Sequence, residues 1–230
     1  MKSFLTFSVM LVAASAAYGN SITFNSVNTV GGQPVSADAT FVTTAGELVI
    51  TLQDTLANPT DIGQLVSDLQ FSMNTGDTSA TLSSSSADFI TVNSGGSVTD
   101  NGTSSTGWGF GSGTLGSGNY LLCVICGDGI SLPPHVAPAE LIIGPGPYTN
   151  ANASIAGNGP HNPFMNQTAT FTILDSNITN STTISNVLFS YGTTFGLDGA
   201  GIPTPEPRSY VFLALVSGLI VLASRRKKIA

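Results

Sequence analysis

Residues 47–56 read Glu47-Leu48-Val49-Ile50-Thr51-Leu52-Gln53-Asp54-Thr55-Leu56, and the period of this stretch decides the fold. Leu48, Ile50 and Leu52 fall on one side of an extended chain, with Val49 and Thr51 on the other. That alternation has the two-residue period of a half-buried strand. The same period recurs outward in both directions. Ile22 and Phe24 share a face of Ser21–Val27. Leu69, Phe71 and Met73 alternate with Gln70, Ser72 and Asn74. Ile90 and Val92, then Phe171 and Ile173, then Val187, Phe189 and Tyr191 repeat it. The segments are short, rich in Thr and β-branched residues, and bounded by Gly, Asn, Asp and Pro. Breakers stand at Gly31-Gly32, Asn58-Pro59, Asn74–Asp77, Asn93–Gly96, Asp100–Gly102 and Asp198–Gly201. A helical period is absent except for one turn near Asp61–Leu65. The pattern predicts an all-β fold, a jelly-roll-like sandwich of two antiparallel sheets. A short β-solenoid is the alternative, disfavoured by the lack of a fixed repeat.

Charge is distributed unusually. The chain has 230 residues with 13 acids, 6 bases and a formal net charge of -7. The bases are Lys2, Arg208, Arg225, Arg226, Lys227 and Lys228, so nothing between Ser3 and Pro207 is Lys or Arg. An all-acid body repels phosphate backbones, which excludes nucleic-acid binding and phosphate sites built on Lys or Arg. Its stability has to come from apolar burial and backbone hydrogen bonds rather than ion pairs.

The ends carry transport chemistry. Lys2, the apolar run Phe4–Ala17, and the small residues Ala17 and Gly19 read as a secretory signal peptide over residues 1–19, cleaved before Asn20 or, alternatively, after Ala16 or Ala17. This implies the Sec machinery and signal peptidase as partners. At the other end Pro205-Glu206-Pro207-Arg208 precedes the uncharged run Tyr210–Ala223 and the basic end Arg225-Arg226-Lys227-Lys228. As a helix the run covers roughly 21 Å, short of the ~30 Å hydrocarbon core, and the flanking bases can snorkel to extend it. The basic end should stay cytoplasmic. The flanking prolines keep Glu206 on extended backbone that a processing enzyme can read. A permanent tail anchor is the plainer reading.

The order Pro-Glu-Pro, short apolar helix, Arg-rich end resembles the PEP-CTERM sorting signal of Gram-negative bacteria. The match is carried by Pro205, Glu206, Pro207, a membrane helix over 209–224, and Arg225, Arg226, Lys227 and Lys228 within residues 203–230. The resemblance implies recognition and cleavage by exosortase, a membrane-embedded cysteine transpeptidase. It further implies transient anchoring in the cytoplasmic membrane, then release to the surface or an exopolysaccharide matrix. It is silent on the body, residues 20–202, a single domain.

Within that body, Cys123 and Cys126 read first as a disulfide that needs a turn between them, with free thiols or a zinc site with His135 and His161 as alternatives. Trp108 and Phe110, in the Gly-rich stretch 107–118, are candidates for stacking on a sugar ring or for core packing. The Pro-, Asn- and Gly-rich segment Leu132–Pro163 is expected to form long loops, where binding is usually sited. His135 and His161 fall in it, each expected to bond a backbone carbonyl. Twelve carboxylates lie before Pro205, none in a recognisable pair. Calcium fits an all-acid loop surface, but no ligands are apparent. No Gly-x-Ser-x-Gly elbow or His-Glu-x-x-His occurs. The expectation is a non-enzymatic, structural or adhesive surface protein without a cofactor. A carbohydrate-binding module and, further off, a two-carboxylate glycoside hydrolase are the alternatives.

Overall fold

The computed structural model describes residues 19–76, 79–113, 115–126, 132, 140–194 and 198–204. Strands take most of them: β1 (Asn20–Val30), β2 (Gln33–Thr44), β3 (Glu47–Asp54), β4 (Val66–Met73), β5 (Thr81–Val92), β6 (Val98–Ser104), β7 (Gly109–Ser112), β8 (Asn119–Cys123), β9 (Ile142–Ile143), β10 (Phe164–Leu174), β11 (Ile184–Tyr191), β12 (Asp198–Ala200) and β13 (Ile202–Thr204). The turn near Asp61–Leu65 is a 3-10 turn, Ile62–Gln64. It is held by a capping box in which Asp61 Oδ1 accepts the Gly63 N–H and Gln64 Oε1 accepts the Asp61 N–H. No α-helix occurs among the described residues, and none there is long and apolar enough to cross a membrane. The expected signal peptide over residues 1–19, apart from Gly19, and the tail from Pro205 through Glu206, Pro207, Tyr210–Ala223 and Arg225–Lys228 lie outside the described residues. So do His135, Asp77 and Asp128.

The fold is all-β, but two separate antiparallel sheets give way to one continuous, mixed sheet. It branches into two arms. One runs β6-β5-β10-β3-β2-β1-β13, the other β12-β11-β4-β8-β7. The short β9 joins them: Ile142 pairs in parallel with Met165 of β10 and antiparallel with Val66 of β4. A two-residue strand carries too little pattern to be read from sequence, so the junction was not foreseeable. Antiparallel pairing elsewhere, with β10 lodged between β3 and β5, is not the parallel stacking of a solenoid. Gly31-Gly32 turns β1 into β2 with both residues at positive φ, as a two-residue hairpin turn requires.

Burial in β3 alternates residue by residue, with Leu48, Ile50 and Leu52 fully buried. β2 alternates likewise. The inner face carries a run of rings. Phe24 meets Phe41 edge-on at 5.8 Å, Phe41 meets Phe71 at 5.3 Å, and Phe71 stacks on Tyr120 at 5.3 Å. Phe110 stacks on Tyr120 at 6.1 Å. Because Phe41 is on β2 and Phe71 on β4, this chain of rings packs one arm against the other. The outer face of the larger arm is different. Ser86, Thr170, Thr51, Thr40 and Thr23 stand in register across β5, β10, β3, β2 and β1. Neighbouring hydroxyls bond within the row, Thr23 Oγ1 to Thr40 Oγ1 at 2.8 Å. This cross-strand pairing lets a sheet face meet water without charge.

Three regions expected as breaks are strands, Asp198–Ala200 of β12 being one. β6 includes Asp100–Gly102, and β7 falls inside the Gly-rich stretch 107–118. Every residue of β6 is exposed, so no apolar alternation marks it; pairing with β5 alone makes it a strand.

Candidate functional site

Of the two readings of Trp108 and Phe110, sugar stacking or core packing, the structure places Trp108 in the core. Trp108 is fully buried, tilted against Phe171 at 5.4 Å, and its Nε1–H donates to the Glu140 carbonyl at 2.8 Å. Phe110 is half-buried and stacked in the ring run. Trp108 is therefore a core residue: burying the indole is strongly favourable, and its one polar atom finds an acceptor. Cys123 and Cys126 are joined as a disulfide, with Cα atoms 5.1 Å apart. The turn between them is held by Val124 N–H on the Ser67 carbonyl at 3.0 Å and Ile125 N–H on Asp68 Oδ1 at 3.2 Å. Bridged sulfurs supply no thiolate, so the zinc alternative through Cys123, Cys126, His135 and His161 loses its two cysteine ligands. His161 Nδ1 lies 2.7 Å from the Ser154 carbonyl, the backbone contact expected of a loop imidazole. Among the described residues no group of three His, Cys, Asp or Glu is arranged to hold a metal ion.

The 144–163 segment is pinned to the body. Asn58 N–H donates to the Pro145 carbonyl, Asn152 N–H to the Thr60 carbonyl, and Val92 N–H to Asn162 Oδ1. Gly146-Pro147 and Asn162-Pro163 are cis. Where this segment enters β10, it builds a cleft of about 220 Å³ lined by Phe89, Asn101, Ser104, Ser105, Glu140 and Pro163.

Three local irregularities shape that cleft. Between Phe89 and Ile90 the β5–β6 register shifts, leaving Asn101 as the extra residue of a bulge. Gly102 beside it is at φ 78, with its N–H on Asp100 Oδ1. Glu140 is at φ 70, a left-handed backbone that costs a non-glycine residue about 1–3 kcal/mol. Its N–H donates to the Pro163 carbonyl at 3.2 Å, and its carbonyl accepts from Trp108, so packing enforces the strain. The carboxyl lies against Gly107, and Oε2 is buried without a hydrogen-bond partner. Burial raises the Glu140 pKa above the ordinary carboxylate value, opposed by the Gly107 N–H.

A Cβ built on Gly107 would stand 1.8 Å from Glu140 Oε2. Gly107→Ala is therefore expected to expel the carboxyl, destabilising the protein by about 1–3 kcal/mol and shifting the Trp108 emission. A denaturation curve read by that fluorescence checks it; an unchanged midpoint and spectrum would contradict the packing.

Glu140 is the one carboxylate among the residues lining this cleft. Double-displacement or inverting glycoside hydrolysis needs two across a cleft, so the site does not supply that chemistry. A larger groove, about 550 Å³, runs between β1 and β11 along Ile22, Phe24, Val187, Leu188 and Gly201. It is mainly apolar and presents no titratable side chain. Neither Glu140 nor Asn101 stood out in the sequence. A lone Glu and a breaker-like Asp-Asn-Gly carry no spacing signal; the flanking glycines of Gly107-Trp108-Gly109 were the sole local hint.

No protein-family model, no curated protein and no solved structure matches this chain.

Proposed function

We propose that the chain is an exported cell-surface or extracellular-matrix protein of a Gram-negative bacterium, structural or adhesive and non-enzymatic. It is sorted, and cut near Glu206, by an exosortase. The observation that carries this reading is the tail sequence, Pro205-Glu206-Pro207 followed by the apolar run and Arg225–Lys228, attached to a body without Lys or Arg. The strands begin at Asn20, directly after the expected signal-peptidase site, and β13 ends at Thr204, directly before the motif. A folded body bracketed by the two signals is what export followed by release requires. β13 carries the body two residues beyond the expected limit at 202.

As architecture, a two-layer sandwich of jelly-roll-like kind is supported by the Phe41–Phe71 contact between the arms. The Thr- and Ser-rich outer face suits a hydrated polysaccharide layer, because it exposes hydroxyls without fixed cations. The carbohydrate-binding alternative loses its Trp108 route, and the hydrolase alternative loses support for want of a second carboxyl in the Glu140 cleft.

Replacing Pro205–Pro207 with alanines in the native host tests the proposal. The wild-type protein is expected in the surface or medium fraction, with an intact mass lacking Met1–Gly19 and Tyr210–Ala230. The variant is expected in the cytoplasmic membrane with the tail retained. Equal fractionation and equal mass for the two forms would overturn the sorting proposal.

A further inference from the structure

Several features converge on one small volume outside the β5–β6 ribbon. A bulge sets Asn101 at its edge, Ser104 and Ser105 add two hydroxyls, and Phe89 and Pro163 give carbon walls. Glu140 closes it in a backbone conformation held against its own preference. One oxygen of its carboxyl is buried without a hydrogen-bond partner. Strain held by packing, a register bulge and an unsatisfied buried oxygen are each uncommon, and each is typical of a binding site.

From this geometry we infer that the Glu140 cleft binds one unit of a neutral saccharide. The chemistry selects the ligand. A sugar ring carries hydroxyl donors and acceptors around its rim and C–H groups on its faces. Asn101 offers both a donor and an acceptor, Ser104 and Ser105 likewise, and the carboxyl accepts through Oε1, Oε2 being buried against Gly107. The Phe89 edge and the Pro163 ring meet C–H groups. Phosphorylated or uronic ligands are disfavoured because the described lining residues hold a carboxyl and no base. Calcium is disfavoured because it takes six to eight oxygens, and a single carboxyl with carbon walls supplies too few. The inference depends on the extracellular placement above for where such sugars are met, while the binding itself does not require it.

The structure also provides the reporter. Trp108 is the single Trp of the chain, and its indole N–H is bonded to the backbone of Glu140. A ligand that moves Glu140 changes the polarity at that N–H.

The full chain in a sugar-free detergent is titrated with the methyl glycosides of glucose, galactose, mannose and N-acetylglucosamine, reading Trp108 emission and, in parallel, heat. A saturable change with at least one of them is expected, weakened about tenfold by Glu140→Gln and by Asn101→Ala. Thr40→Ala, on the remote outer face, should leave it unchanged. Asn101 is exposed on an edge strand, so its variant remains folded even if Glu140→Gln does not. No saturable change with any glycoside, or binding that neither variant weakens, would overturn the inference. A response to calcium chloride alone, with none to the glycosides, would overturn it in favour of a cation site. Failure here leaves the fractionation result untouched, so the two proposals fail separately.

Discussion

Phe41→Ala is expected to cost about 3–5 kcal/mol, a large share of the 5–15 kcal/mol that holds a typical domain together. Phe41 is fully buried and stands at the middle of the ring run, edge-on to Phe24 within its own arm and to Phe71 on the other. Truncation removes the transfer energy of a phenyl ring and leaves a cavity that rigid strands on both sides cannot close. Each edge contact adds about 0.5–1.5 kcal/mol beyond area. Thr40→Ala supplies the comparison. It sits next in the same strand, points outward, and gives up one hydroxyl contact to Thr23, worth about 1 kcal/mol or less. Urea unfolding should separate the two variants clearly at similar m-values. Equal midpoints would mean that the arms are not packed through Phe41.

Acid is expected to stabilise this protein, against the usual trend. Most proteins lose stability in acid because native carboxylates are paired with bases. Here no Lys or Arg lies among the described residues, so acid breaks no ion pair with either. Asp54, at the end of β3, is completely buried. Its Oδ1 accepts the Leu56 N–H at 3.0 Å and the nearby Val66 and Gly144 backbone also favours the charged form, while Oδ2 has no hydrogen-bond partner. Burial outweighs those donors and holds its pKa well above the ordinary carboxylate value. Glu140 is raised by the same cause. Below the unfolded pKa both carboxyls are protonated in both states and the folded form keeps its full stability. As pH rises toward and through the folded pKa, the unfolded chain releases its protons first, and stability falls. The melting temperature should therefore climb as pH is lowered through the raised folded values toward the ordinary carboxylate values of 3.8 and 4.5. Asp54→Asn, which retains the acceptor for Leu56, should flatten the slope. A melting temperature that drops on acidification would contradict the raised values. Tyr148, pushed up to about 12 by burial and then by the charge of Asp54, stays protonated across this range and keeps its O–H on the Gly144 carbonyl.

Legibility followed burial. β3, β4 and β10 were readable because each sets an apolar face against a polar one, and Leu48, Ile50, Leu52, Phe71, Phe171 and Ile173 are all buried as the alternation requires. β6 was not readable, since its seven residues are exposed and only hydrogen bonds to β5 define it. β9 was too short. The aromatic Trp108 was visible as a singular residue, but exposure and burial leave the same letter in the sequence. The bulge at Asn101 and the left-handed Glu140 arise from register and loop closure, which depend on residues far apart in the chain.

By itself the sequence determined the strand class, the acid body flanked by basic ends, and the expectation of export at both termini. Those follow from local period and composition, which any short window of residues carries. The tertiary structure alone decided that the strands join into one mixed sheet, that Trp108 is buried, and that Glu140 meets Asn101 across a cleft. Such contacts are set by chain closure over dozens of residues, where packing chooses among arrangements that local pattern leaves equivalent.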